Sequence, residues 1–270
     1  MSDFLAAMSD VSLLRARTAM KEADATSLHS RVASAPPPRP LDLVSGFDVI
    51  AEAKLASPAE GILTEGGAER VLKLAEAYAD AGAVAVSVLT EETRFSGSLE
   101  HLQIVSGRVD IPVLRKDFLV DPIQVREARA AGASGVLLIV RLLPGDLLVE
   151  MTDLTLELGM FALVEVFDRT DLEEAAPVFD REVLVGVNCR DLSTLQVDFA
   201  RFEELAPHLP GHLPAVAESG IKSPTEIEIV ADLGYRLALV GSSLVGQRDP
   251  AGPLGAMIRA GRARPARTER

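Results

Sequence analysis

Eight short apolar runs punctuate this chain, at residues 47–52, 83–89, 111–116, 135–140, 161–166, 183–188, 214–218 and 236–241. Most of the intervals between them are long enough for a helix and two loops. Strands alternating with helical segments predict βαβ units and a parallel sheet, and eight such units close most naturally into a (β/α)8 TIM barrel. The length of 270 residues by itself admits one large domain or two small ones, but alternating barrels commonly use about 250 residues as a single domain. Composition agrees, with 48% hydrophobic residues and only 4% aromatic ones. Small aliphatic side chains suit parallel strands covered by helices on the outside.

Three helix starts support the count. Asp121-Pro122 sets a capping side chain before a first-turn proline, Thr170 precedes Asp171, Glu173 and Glu174, and Ser223-Pro224-Thr225-Glu226 offers a capping box. Residues 1–34 read as helical, and the run Ala35-Pro36-Pro37-Pro38-Arg39-Pro40 as a stiff extended linker. The expected organisation is therefore an N-terminal helical extension with its Pro-rich linker (1–40), a barrel (41–260) and a frayed, Arg-rich disordered tail (261–270), whose alternative role is contact with an anionic partner.

Bulk charge excludes several functions. A net charge of −13 repels nucleic-acid backbones, so no nucleic-acid partner is expected, and a phosphorylated substrate would need local positive charge. The single cysteine, Cys189, permits no intramolecular disulfide, and the four histidines are scattered without zinc-ligand spacing. No zinc site is read from these residues. No apolar stretch reaches membrane-spanning length and no signal peptide is read, so no membrane partner and a cytoplasmic location are expected.

Active sites on this architecture lie at the C-terminal ends of the strands. Those ends read Glu52-Ala53-Lys54 with Ser57-Pro58, then Lys116-Asp117-Phe118, Glu165, Asn188-Cys189-Arg190, Glu218-Ser219-Gly220 and Gly241-Ser242. Because side chains alternate along a strand, Glu52 shares a face with Lys54, Lys116 with Phe118, and Asn188 with Arg190. If those faces line the barrel mouth, three carboxylates (Glu52, Glu165, Glu218) and three cations (Lys54, Lys116, Arg190) converge. The balance of burial against ion pairing would bring a lysine close enough to neutrality to shuttle protons. Gly220, Gly241 and Ser242, on the last two strand ends, read as a phosphate cradle. Cys189, one residue out of phase, faces away as a small inert side chain.

These residues together resemble the indole-3-glycerol phosphate synthase family. The resemblance rests on Ile50-Ala51-Glu52-Ala53-Lys54 with Ser57-Pro58, Ser87-Val88-Leu89-Thr90-Glu91, Phe95-Ser96-Gly97-Ser98-Leu99, Pro112-Val113-Leu114-Arg115-Lys116-Asp117-Phe118 with Asp121-Pro122, Leu163-Val164-Glu165-Val166, Gly186-Val187-Asn188, Arg190-Asp191-Leu192 and Glu218-Ser219-Gly220-Ile221. It runs from about residue 47 to 258, and the N-terminal helices match only in character. It implies a decarboxylating ring closure on a small anionic phosphate substrate that needs neither a metal nor an organic cofactor; a monomer or weak homo-oligomer is expected. It assigns Lys116 as general acid, Glu165 as the stabiliser of positive charge near the anilino nitrogen, and Glu52 with Lys54 to the carboxylate side and the dehydration. Asn188 and Arg190 would hold the substrate hydroxyl and carboxylate, and Glu218 a sugar hydroxyl, with Ser219 beside it. Phe95, Phe118 and Leu192 would form the aromatic wall, with plain core packing an open alternative for Phe118. Ser57, Gly220, Gly241 and Ser242 would face the phosphate, with Lys54 nearby. The chain departs from the family at Leu55, where a second basic residue is usual, at Ala59 for serine and at Cys189 for asparagine; the segment between the proline run and the first strand also looks short. These departures keep open a paralogue acting on a modified substrate. Another phosphate-binding barrel, such as a sugar-phosphate isomerase, would need one acid and one base rather than this crowd, and a non-catalytic barrel would be expected to lose Lys116 or Glu165.

Overall fold

The structure, a computed structural model, describes residues 3–22, 25–43, 46–247 and 249–264. Eight parallel strands close into a barrel in chain order: β1 (Asp48–Ala53), β2 (Ala85–Leu89), β3 (Val113–Lys116), β4 (Gly135–Ile139), β5 (Phe161–Val166), β6 (Leu184–Asn188), β7 (Ala215–Glu218) and β8 (Leu237–Val240), with β1 paired to both β2 and β8. Each expected run became a strand, trimmed by at most two residues at an end. Burial explains why these segments are apolar throughout rather than alternating. Every residue of β1, β2, β4, β6, β7 and β8 is buried, because one face fills the barrel and the other meets the helices.

Capping fixes where the outer helices begin. Asp121 accepts from the Ile123 N–H at 2.9 Å, while Gln124 Oε1 accepts from the Asp121 N–H at 3.2 Å. Glu226 likewise accepts from the Ser223 N–H at 2.8 Å. The helix expected near Thr170 begins two residues earlier in its cap. Asp168 accepts from the Asp171 N–H at 3.0 Å, and the helix runs Arg169–Ala175. A carboxylate one turn upstream captured the free N–H groups before Thr170 was reached.

The extension forms α1 (Asp3–Glu22) and α2 (Ala25–Ser34). Leu5, Met8, Ser12 and Ala16 of α1 are buried against the barrel. The proline-rich stretch after α2 is pinned by the Arg39 N–H to Ser134 Oγ at 3.1 Å and by the Arg39 side chain to the Ser106 carbonyl at 3.1 Å. At the other end of the chain the last helix spans Ala251–Arg262, so Gly261 and Arg262, assigned to the tail on sequence, belong to it. A side chain at 261 would run into Phe47, and Arg262 donates to Asp48 at 2.8 Å. The remainder of that expected tail, from 265, lies outside the described residues. Among the described residues no helix is long and apolar enough to cross a membrane.

Candidate active site

One cavity of about 520 Å³ opens where the strands end. Leu89, Leu137, Ile139 and Leu239 are among its apolar lining, and the polar lining rises from neighbouring strands in register. Asn188 stands opposite Glu218 across the β6–β7 ladder, and Glu165 opposite Ile139 across β4–β5. Every residue expected at the site lines this one cavity: Glu52, Lys54, Ser57, Phe95, Lys116, Phe118, Glu165, Asn188, Arg190, Leu192, Glu218, Ser219, Gly220, Gly241 and Ser242.

Lys116 holds the centre. Its Nζ lies 3.9 Å from Glu165 Oε2 and 3.9 Å from Glu218 Oε2. Lys54 Nζ is 2.6 Å from Glu52 Oε1. Asn188 Nδ2 donates to Glu165 Oε2 at 3.0 Å, and Asn188 Oδ1 accepts from the Arg190 N–H at 3.0 Å, so one amide fixes both neighbours. Arg201 extends the chain of support by donating to the Asn188 carbonyl at 2.7 Å.

Two glycines create room for the carboxylates. A methyl group at Gly186 would stand 2.0 Å from Glu218 Oε1, and one at Gly241 would stand 2.4 Å from Glu52 Oε1. Gly241 was expected to serve a phosphate, yet the structure gives it a further task. It leaves the space that Glu52 occupies.

The charges separate by environment. Burial works to deprotonate Lys116, but Glu165, Glu218 and Glu52 together outweigh it, and the pKa rises above the ordinary lysine value. The three carboxylates expected to converge thus favour the ammonium form of Lys116, and the balance does not bring this lysine towards neutrality. Burial also opposes ionisation of Glu52, and Lys54, Lys116 and Arg190 overcome it, so this carboxyl titrates below its ordinary value. Glu218 goes the other way. Burial and the neighbouring Glu165 push it well above the usual range, against the pull of Lys116. As a carboxylate it finds no hydrogen-bond donor among the described residues, whereas once protonated its hydroxyl has Glu165 as acceptor. The site thus sets an ammonium favoured by its neighbours (Lys116), a carboxyl shifted towards ionisation (Glu52) and one shifted towards its protonated form (Glu218) around one space.

An aromatic wall faces this polar cluster. Phe118 meets Phe95 at 6.1 Å and Phe4 edge-on at 5.9 Å between ring centroids, so it both packs in the core and borders the cavity. The Glu91 carboxylate supports the wall by accepting from the N–H groups of Thr93, Arg94 and Phe95. At the opposite end, Ser219 and Gly220 adopt φ of 68° and 76°. A left-handed serine beside a pocket is strain retained by its surroundings. Ser57 belongs to a small hairpin, Ala56–Ser57 with Gly61–Ile62, that was not anticipated, and its Oγ accepts from the Glu60 N–H at 3.2 Å. Leu55, the missing second basic residue, is buried, and its carbonyl accepts from Leu63 at 2.8 Å. Cys189 is buried, donates to the Ser219 carbonyl at 3.3 Å, and has its thiol pushed up to about 12 by burial, as befits an inert residue.

Sequence reasoning missed the groups that α1 brings. Phe4 joins the aromatic wall, and Arg15 donates to both oxygens of Asp117, at 2.7 and 2.9 Å. Asp117 also accepts from Thr90 at 2.6 Å and from Arg115 at 3.2 Å. The only sequence signal was the phase of the strand: with Lys116 inward, Arg115 and Asp117 point outward, where buried charges need partners.

Comparison with known proteins agrees with this geometry. A family model described as indole-3-glycerol phosphate synthase matches residues 10–255. The protein of that name from Mycobacterium leprae (strain Br4923) is 44% identical over 253 residues, covering 92% of each chain. The one from Mycobacterium tuberculosis (strain CDC 1551 / Oshkosh) is 43% identical, with the same 92% coverage of each. Among solved structures, a thiamine phosphate pyrophosphorylase from Pyrococcus furiosus superposes with a TM-score of 0.56 at 16% identity, over 79% of this chain and 95% of that one, a likeness of fold alone.

Proposed function

The chain belongs to the indole-3-glycerol phosphate synthase family, and from that membership we infer that it is a carboxy-lyase of tryptophan biosynthesis acting on 1-(2-carboxyphenylamino)-1-deoxyribulose 5-phosphate. The observation that carries the chemistry is the protonated Lys116 set 3.9 Å from each of two buried carboxyl groups in a cavity with one aromatic wall. The wall takes the anthranilate ring. The ring carbon bearing the carboxylate bonds to the ketone carbon, and the carbonyl electron pair moves onto oxygen, which takes its proton from Lys116. Glu165, held by Asn188, stabilises the positive charge that develops towards the anilino nitrogen. The bond to the carboxylate then breaks, carbon dioxide leaves, and its electron pair restores the aromatic ring.

Dehydration needs a base for the carbon next to nitrogen and an acid for the departing hydroxyl. Glu52, ionised, and Lys54, at 2.6 Å from it, supply the two. Arg190 holds the carboxylate before it leaves, and Glu218, whose ionisation burial resists, hydrogen-bonds a sugar hydroxyl. Ser57, Gly220, Gly241 and Ser242 face the phosphate. All these groups come from one chain, so a monomer or weak homo-oligomer suffices. A multiply charged substrate does not cross apolar membranes, which fits the cytoplasmic location expected from sequence.

The absence of tryptophan makes the test direct. Purified protein mixed with the anilino-ribulose phosphate is expected to develop indole fluorescence over a nearly dark background, with or without a chelator. No rise at high enzyme concentration defeats this reading.

A further inference from the structure

Resting on the reading above, we propose that Lys222 is a phosphate-binding residue of this pocket, its ammonium supplying the cation at the end of the cavity away from Lys116. The residue follows the turn Ser219-Gly220-Ile221 directly and lines the same cavity as Gly241, Ser242 and Ser243. Its start point is fixed: the Lys222 N–H donates to Glu226 Oε2 at 2.6 Å, and the next N–H, of Ser223, donates to the same oxygen at 2.8 Å. The backbone is pinned, while the residue as a whole stays exposed at the cavity lining.

The other cations of the cavity are committed. Lys54 contacts Glu52 at 2.6 Å, Lys116 is shared between Glu165 and Glu218, and Arg190 donates to the Leu195 carbonyl at 2.9 Å. Lys222 has no carboxylate within ion-pair distance among the described residues. The phosphate end also carries a carboxylate of its own, since Glu60 lines the cavity and its Oε2 takes the Ser57 hydroxyl at 3.4 Å. A phosphate group brings nearly two negative charges to that end. Backbone N–H groups and serine hydroxyls leave those charges and Glu60 uncompensated, and an ammonium on a flexible stem is the kind of point charge that offsets them. The exposed position makes the contribution moderate and sensitive to salt.

The test is the K222M variant beside K222R. For K222M, KM for the anilino-ribulose phosphate is expected to rise about tenfold with kcat within twofold, a split that marks lost ground-state binding rather than lost chemistry. Inorganic phosphate should bind the wild-type chain, by isothermal titration or 31P line broadening, several-fold more tightly than K222M, and K222R should recover most of the affinity. Added salt should narrow the difference between wild type and K222M. Unchanged KM and unchanged phosphate binding in K222M overturn the proposal. A wild-type protein that makes no indole product defeats the synthase reading instead, and the phosphate titration still decides the role of Lys222.

Discussion

Arg115, Lys116 and Asp117 follow one another in sequence, yet alternation sends them into two clusters of opposite character. The outer cluster is almost fully bonded, Arg15 Nε being its one buried polar atom without a partner among the described residues. Arg115 donates to Thr90 at 3.0 Å, to the Gln124 carbonyl at 2.7 Å and to Asp117 at 3.2 Å, and Asp117 receives Arg15, Thr90 and the Phe118 N–H as well. The inner cluster is left open. Lys116 stands 3.9 Å from its two partners, and among the described residues the ionised form of Glu218 finds no hydrogen-bond donor. Both clusters are buried, so the difference is not one of solvent access. It teaches that a buried charge with every hydrogen bond filled holds a strand end in place, whereas one with bonds unfilled keeps its capacity for a substrate.

Mutations can break that comparison, beginning with the largest effect. Asp117→Ala takes from buried Arg115 its nearer carboxylate, at 3.2 Å, and leaves only Glu127 at 3.7 Å, and removal of one partner from a buried pair costs about 3–5 kcal/mol. A urea titration should show the loss, and a change below about 1 kcal/mol would mean the outer cluster is not a support. Asp117 titrates near 2 when folded, so its contribution is complete above its ordinary value and is lost as the pH falls towards 2. Lys116→Met should instead leave the urea midpoint nearly untouched while lowering turnover by on the order of 10²-fold or more, equivalent to about 3 kcal/mol of barrier.

Glu218→Gln sharpens the contrast with the smallest shift. Its carboxyl has a higher pKa folded than unfolded, so the wild-type protein loses stability as the pH climbs above about 4. Glutamine does not titrate. The variant should therefore be the more stable of the two near neutrality, with the advantage vanishing below about pH 4, and slower in turnover. A destabilised Glu218→Gln at neutral pH would show that the inner cluster, too, is built for support.

Much of this was legible in the chain. Strand ends carry their residues at fixed phase, so Glu52 with Lys54 and Asn188 with Arg190 were placed in one mouth before any coordinate was known. The meeting of Glu52, Glu165 and Glu218 at Lys116 was legible too, but not that their pull outweighs its burial, because that balance depends on distances across the barrel. Phe4 and Arg15 escaped for a related reason. Arg15 reaches a partner 102 residues away, and nothing local to α1 marks that contact. The hairpin at 56–62 was hidden because two-residue strands leave no periodic trace. Thr170 was taken for a helix start because its neighbours are acidic, although Asp168 had already closed the turn.

The missing side chains at Gly186 and Gly241 have a lasting consequence for the lineage of this protein. Each is a vacancy reserved for a carboxyl from the adjoining strand, so neither position can drift even to alanine without evicting Glu218 or Glu52. These two empty seats bind the future of the sequence as firmly as any reactive group.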